Sequence, residues 1–162
     1  MHFGKRLYYN KNYDTVDKVQ YAYRCIQIEQ DANSPHRYIN DDFTVKDNDT
    51  VLDIGAAEGN FALEIIEKVS KVYLFEPDAT WIEALEATFK PWKEKVVIIN
   101  KYVSNYNDDN CISLDVFLED TRVDFMKMDV EGYERQILDG AKISLKNKGL
   151  KLAICTYHHN ED

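Results

Sequence analysis

Apolar positions along the chain switch between a helical and a strand period, and the switches divide it into alternating elements. Val16, Val19, Ala22, Tyr23 and Ile26 recur at helical spacing, so Asp14 to Glu29 is predicted to be an amphipathic helix that Asp14 or Thr15 can cap. The polar stretch from Gln30 to Asp49, broken by Pro35 and carrying a short apolar piece at Phe43 to Val45, reads as a connector. A first strand is expected at Thr50 to Ile54. Gly55 to Gly59 then turn the chain, and Phe61, Ala62, Ile65, Ile66 and Val69 fall on one face of a helix. Lys71 to Phe75 reads as a second strand, ended by Glu76-Pro77-Asp78. Thr80 and Glu83 have the spacing of a capping box for a helix that turns Trp81, Ile82, Leu85 and Phe89 inward. Val96 to Ile99 is a third strand. From Lys101 to Asp120 the pattern is weaker, with short strands near Tyr102-Val103 and Cys111 to Ser113 and a turn or helix near Val116 to Leu118. Val123 to Met128 is again a strand, Glu134 to Asp139 a short helix stopped by Gly140, and Leu150 to Tyr157 a fifth principal strand.

Strands alternating with helices imply a parallel sheet, and right-handed crossovers make an α/β doubly wound sheet the economical fold. One domain over residues 48–162 is expected, preceded by a helical extension and connector over residues 1–47. Ligands of such sheets bind beyond the carboxyl ends of the strands, at the switch point. Four loops should therefore meet there: Asp53 to Gly59, Glu76 to Asp78, Asn100 to Ser104, and Asp129 to Glu131.

Composition narrows the partners. The 162 residues, 44% hydrophobic and 30% charged, suffice for one core, and the net charge of -9 argues against broad electrostatic binding to nucleic acid or anionic membranes. No apolar run approaches the ~18 to 20 residues that span a bilayer, and Met1 to Arg6 lead into polar sequence without an apolar signal core. A cytoplasmic protein without membrane insertion is the expectation. Cys25, Cys111 and Cys155 are widely spaced and form no CxxC pair, so they read as small core residues rather than as a disulfide or thiolate metal frame.

The loop Asp53-Ile54-Gly55-Ala56-Ala57-Glu58-Gly59 carries the chemistry. Its glycines free the backbone to turn sharply and to approach a ligand closely. A dinucleotide fingerprint would read G-x-G-x-x-G, whereas Gly55 and Gly59 enclose three residues and Glu58 stands where pyrophosphate would be repelled. The D-x-G-x-x-x-G pattern suits a ligand with a zwitterionic amino-acid end and no phosphates, which is S-adenosylmethionine. Glu76, at the end of the second strand, can accept both hydroxyls of a ribose, with Pro77 and Asp78 beside it. Asn100, Ser104 and Asn105 are on offer for the base. The candidate cofactor-binding set is Asp53, Gly55, Ala56, Ala57, Glu58, Gly59, Glu76, Pro77, Asp78, Ser104 and Asp129. Methyl transfer requires positioning of the acceptor and, for a hydroxyl, removal of its proton. Asp129, Glu131 and His158 are the candidate catalytic residues, since all three follow principal strands and two are carboxylates that a helix dipole would equally favour. No ligand spacing demands a metal. The tyrosines ahead of the sheet, Tyr8, Tyr9, Tyr13, Tyr21 and Tyr23, read as residues that dock the leading helix, with stacking on a flat acceptor as the alternative.

The segments Val51 to Gly59, Phe75-Glu76-Pro77, Phe125 to Glu134 and Leu138-Asp139-Gly140-Ala141 together resemble the FkbM family of S-adenosylmethionine-dependent methyltransferases. The resemblance covers about residues 48–159. It implies a Rossmann-like class I methyltransferase fold with strand order 3-2-1-4-5, usually extended by further strands, and O-methylation of a hydroxyl on a sugar or other small natural product. It also implies that Asp53, Gly55 and Gly59 hold the methionine end and Glu76 the ribose. Ala57 stands where the family often has Asn, and the chain ends at Asp162 just after the fifth strand, so the last strands of the fold are expected to be missing. A catalytically inactive module that keeps the S-adenosylmethionine or nucleotide pocket is the competing reading. A nicotinamide-dependent reductase is disfavoured by the glycine spacing and by the lack of a Tyr-x-x-x-Lys pair. The expected partner is a small-molecule or glycan acceptor, and oligomeric state is not legible.

Overall fold

The computed structural model describes residues 1–34 and 36–156. Five strands form one parallel sheet: β1 (Thr50–Ile54), β2 (Lys71–Phe75), β3 (Val96–Ile99), β6 (Phe125–Met128) and β7 (Lys151–Ile154), in the order β3-β2-β1-β6-β7. That is the predicted order, with β6 and β7 as its fourth and fifth members. Two short strands, β4 (Tyr102–Ser104) and β5 (Cys111–Ser113), pair in parallel as a separate ribbon. The helices are α1 (Val16–Glu29), α2 (Asn60–Ile65), α3 (Ala79–Phe89), α4 (Leu114–Phe117) and α5 (Glu134–Asp139). No helix among the described residues is long and apolar enough to cross a membrane.

The sheet is covered on both faces, which is why its strands read as nearly unbroken apolar runs. Successive side chains alternate between two cores. Val51, Val72, Leu74 and Phe125 join Phe61, Ala62, Ile66, Leu85 and Phe89 on the α2–α3 side. Leu52, Ile54, Phe75, Met126 and Met128 join Val103, Leu114 and Ile137 on the other. This alternation puts Asp53 and Lys127, which are directly paired across β1 and β6, on the α2–α3 face. The connector takes part in that core, since Ile39 and Val45 are buried in it and Tyr38 and Phe43 pack against it.

Three local expectations change. Helix α3 is not opened by a capping box of Thr80 and Glu83. It begins at Ala79, and Asp78, extended after Pro77, accepts a 2.9 Å hydrogen bond from the Thr80 amide. Glu83 pairs instead with Lys11 on the surface. Helix α4 starts earlier than Val116 because Ser113 caps it, accepting from the Val116 amide. The last strand ends at Ile154, and Tyr157 lies outside the described residues. Thr15 caps α1 as expected, on the Lys18 amide.

Candidate functional site

The chain runs from β1 outward through β2 to β3 and then returns to β6, so the loops after β1 and β6 part and leave a crevice at the carboxyl ends of the sheet. A cavity of about 670 Å³ opens there, a size usual for small-molecule sites. Gly55 lets the first loop pass against the end of β6. Its φ is +77°, and a Cβ on it would lie 1.9 Å from the Asp129 carbonyl oxygen. Ala57 has φ 45°, a left-handed conformation that disfavours alanine, and its amide donates to Glu76 Oε2 at 2.7 Å.

Glu76 is therefore aimed by main chain. The Asp78 amide binds its Oε1 at 2.8 Å, and Asn100 donates to the carbonyls of Glu76 at 2.8 Å and Pro77 at 3.0 Å. Burial pushes the Glu76 carboxyl up, and the two amides work against that shift. Each carboxylate oxygen keeps a further lone pair for a ligand.

Beneath the crevice lies a chain of charges. Asp53 is fully buried, and Lys127 Nζ sits 3.1 Å from its Oδ1 while also donating to the Gly55 carbonyl at 2.7 Å. Burial raises the Asp53 carboxyl; burial alone would lower the Lys127 ammonium, but Asp53 and Asp129 outweigh it and hold that group charged. Asp129 Oδ2 accepts a 2.6 Å hydrogen bond from the Tyr38 hydroxyl. Asp129 Oδ1 is buried and has no hydrogen-bond partner among the described residues. Glu58, partly covered, has its carboxyl raised by burial to about 7. Burial and then the charge of Glu58 raise the Tyr9 phenol.

The far wall comes from β4 and α5. Ser104 is buried and accepts from Gln136 Nε2 at 2.8 Å, and the same amide nitrogen reaches Asn105 at 3.3 Å. Tyr102, Tyr106 and Tyr133 are exposed along this side. Trp81 stands opposite, with Tyr13 and Tyr9 packed on it at ring distances of 5.7 and 6.4 Å. Glu134 shapes the last loop: buried in α5, it accepts from the amides of Val130 at 3.1 Å and Gly132 at 3.4 Å.

Of the residues singled out from sequence, Gly55, Ala57, Glu76, Pro77, Asp78, Ser104, Asp129 and Glu131 line the cavity together. Asp53, Ala56, Glu58 and Gly59 do not. Gly59 serves packing, since a Cβ on it would lie 2.6 Å from Phe89 and 2.9 Å from Leu85 of α3. Asn100 pins the Glu76 loop and lies outside the cavity lining. His158 lies outside the described residues. Among those described, no group of three or more His, Cys, Asp or Glu side chains could hold a metal ion. Sequence reasoning missed Tyr38 and the partnership of Lys127. Lys127 does carry a signal, because a cation inside the apolar run Phe125-Met126-Lys127-Met128 requires an acid nearby. Tyr38 carries none, being one tyrosine in a polar connector.

The cavity lining holds four acids, Glu76, Asp78, Asp129 and Glu131, against one base, Lys101. Such a site repels pyrophosphate and attracts a ligand with positive charge. S-adenosylmethionine, with its ammonium and sulfonium groups and no phosphate, fits this donor set.

The methyltransferase FkbM domain family matches the chain over residues 18–162. Among solved structures the chain is similar to a methyltransferase FkbM from Methylobacillus flagellatus KT, with 23% sequence identity and a TM-score of 0.63 over 72% of this chain and 35% of that one. It is also similar to an rRNA methylase from Streptococcus thermophilus, with 18% identity and a TM-score of 0.50 over 68% of this chain and 62% of that one. The chain thus spans less than two thirds of either protein, and at these identities the likeness is one of fold. None of the curated proteins compared with the chain matches it.

Proposed function

From the premise that this chain belongs to the FkbM methyltransferase family, we propose that it is an S-adenosylmethionine-dependent O-methyltransferase acting on a hydroxyl of a sugar or another small natural product. The observation that carries the reading is the acid-lined cavity at the switch point, with Glu76 held by two amides and Asp129 beside Gly55. Glu76 would take the ribose hydroxyls, with Pro77 and Asp78 continuing that wall. The loop from Asp53 to Gly59 and the end of β6 would take the methionine end, Asp53 acting from below through Lys127. Ser104 would lie on the base side. Bound there, S-adenosylmethionine supplies an electrophilic methyl group on a sulfonium sulfur, which keeps the electron pair of the broken carbon–sulfur bond.

The chain's own work is then to orient an oxygen and take its proton. Asp129 is the best placed base, because it lines the cavity and its Oδ1 has no hydrogen-bond partner among the described residues. Glu131, exposed on the rim, serves the acceptor rather than the reacting atom. The net charge of -9 and the acids of the cavity favour a neutral acceptor over a polyanion such as RNA. Calorimetry with S-adenosylhomocysteine and transfer of labelled methyl from S-adenosylmethionine across a panel of glycans, hydroxylated small molecules and RNA test the reading. Micromolar binding with transfer to a hydroxyl is expected. Absence of binding would sink it, and binding without transfer to any acceptor would favour the inactive module.

A further inference from the structure

Resting on the methyl-transfer reading, we propose that Tyr38 is a positioning residue for Asp129: its hydroxyl ties down Oδ2 and so leaves Oδ1 as the one oxygen free to take the acceptor's hydrogen bond and then its proton. Tyr38 comes from the connector, far from β6 in sequence, and its hydroxyl reaches the carboxylate at 2.6 Å, a distance typical of a charge-assisted O–H···O bond. The phenol cannot wander. Its ring packs edge-on against Phe61 at 6.1 Å, and the Lys127 ammonium lies 5.3 Å from its centroid.

Alternatives for holding Asp129 are already committed. Lys127, whose ammonium Asp129 helps to hold charged, is engaged by Asp53 Oδ1 and the Gly55 carbonyl. The titratable groups around Asp129 are Tyr38 from the connector, Lys127 on its own strand and Asp53 on β1, with the Cys155 thiol standing next to Tyr38 after β7. Burial and the hydrogen bond to Asp129 keep the phenol protonated, so it acts as donor and Asp129 as acceptor. A carboxylate bound on one side only is a directional base: rotation about its Cβ–Cγ bond would break a short hydrogen bond, so its free lone pairs stay aimed one way.

A donor to the ionised form lowers a carboxyl's proton affinity, so removing the hydroxyl should raise it. Carbon NMR on aspartate-labelled protein reads this directly, the Asp129 resonance being assigned by its loss in Asp129→Asn. Tyr38→Phe, which keeps the ring, is expected to move the Asp129 titration midpoint up by about one pH unit, a tenfold change in the acid constant. Site-specific 3-fluorotyrosine at position 38, a stronger donor, is expected to move it down. Tyr21→Phe, at an exposed tyrosine, is the control. Midpoints unmoved by both Tyr38 variants would overturn the role.

Wild-type calorimetry with S-adenosylhomocysteine keeps this role apart from the reading it rests on. No binding removes the methyl-transfer reading and the role with it; binding with an unmoved midpoint removes the role alone. In the transfer assay, the acid limb of kcat should move up with the midpoint in Tyr38→Phe. An equal loss of kcat at every pH would mean that Tyr38 only anchors the connector, and would overturn the proposal.

Discussion

One methyl group at Gly55 is expected to break both the central seam of the sheet and the cavity beside it. In Gly55→Ala the new Cβ would lie 1.9 Å from the Asp129 carbonyl oxygen and 3.0 Å from its carbon. Both are main-chain atoms, so no side chain can swing aside. The two strands are locked at that level, because the Asp129 amide donates to the Ile54 carbonyl at 3.0 Å. Relief therefore means parting β1 from β6. The left-handed backbone, φ +77°, costs alanine about 1–2 kcal/mol. Overpacking against main chain adds about 1–3 kcal/mol, and a lost hydrogen bond about 1 kcal/mol more. The sum is a destabilisation of about 3–6 kcal/mol, a large part of the stability of an ordinary domain.

Gly4 separates these contributions. Its φ is +74°, yet a Cβ on it would meet nothing within 4 Å. Gly4→Ala should thus show the backbone cost alone, about 1–2 kcal/mol, and the difference between the two variants measures the collision. Urea unfolding followed by circular dichroism gives both values under a two-state treatment. Calorimetry with S-adenosylhomocysteine on Gly55→Ala should show at least a tenfold loss of affinity, since Asp129 moves with β6. If Gly55→Ala costs no more than Gly4→Ala, the seam between β1 and β6 is not the constraint that holds the first loop in place, and the reasoning fails.

Lys127→Met should cost about 3–5 kcal/mol at neutral pH by stranding Asp53, which is fully buried. That loss should shrink on acidification, because a carboxyl raised by burial takes up a proton and ceases to need a partner; a loss independent of pH in urea titrations would count against the pair. Glu58 is raised from 4.5 to about 7, so its stabilising protonated form is fully present below about pH 4.5 and lost as pH rises through about 7. Glu58→Gln should remove that dependence, gaining on the wild type by the order of 3 kcal/mol between acid and mildly alkaline pH, and parallel stability curves would refute it. Asp78→Ala removes the cap of α3 and should cost about 1 kcal/mol in thermal or urea unfolding, without the larger losses seen in the sheet. Ala57→Asn, at φ 45°, should raise stability by about 0.5–1 kcal/mol, read as a higher urea midpoint.

The principal elements were legible because both cores obey simple periods. Leu52 and Ile54 point one way and Val51 the other, and the same alternation on β2 and β6 fixes which faces must be covered. The crossover rule implied a doubly wound parallel sheet, whereas the strand order was legible only through the resemblance to the FkbM family. What the chain hid was the partner of each polar group. Thr80 and Glu83 have the right spacing for a cap, but Asp78 is extended at the helix start, and its carboxylate takes the Thr80 amide ahead of them. Asn100 looked available for a base, yet it spends its amide on two carbonyls. Gly59 read as a glycine that lets a ligand approach, and nothing in the sequence signalled that α3 also leans on it through Phe89 and Leu85. Tyr38 was invisible because the contact that gives it meaning is made across the fold, to a strand that pairs with β1.

The same contact explains why so many charges share one end of the sheet. A lone Asp53 between two cores would be costly, and Lys127 offsets it by bridging that carboxylate to the Gly55 carbonyl, so one ammonium steadies both the strand and the first loop. With the Lys127 ammonium bonded to Asp53 and the Gly55 carbonyl, Asp129 is held by a neutral donor, Tyr38. The crevice then keeps an excess of negative charge, with Glu76 and Asp78 on one wall and Asp129 and Glu131 on the other. A dinucleotide, bringing two phosphates, would meet that field as repulsion, whereas a sulfonium ligand would meet it as attraction that weakens once the methyl group and its positive charge are gone. Selection of the donor and release of the spent product would thus follow from one charge arrangement, fixed by Lys127 inside an otherwise apolar strand.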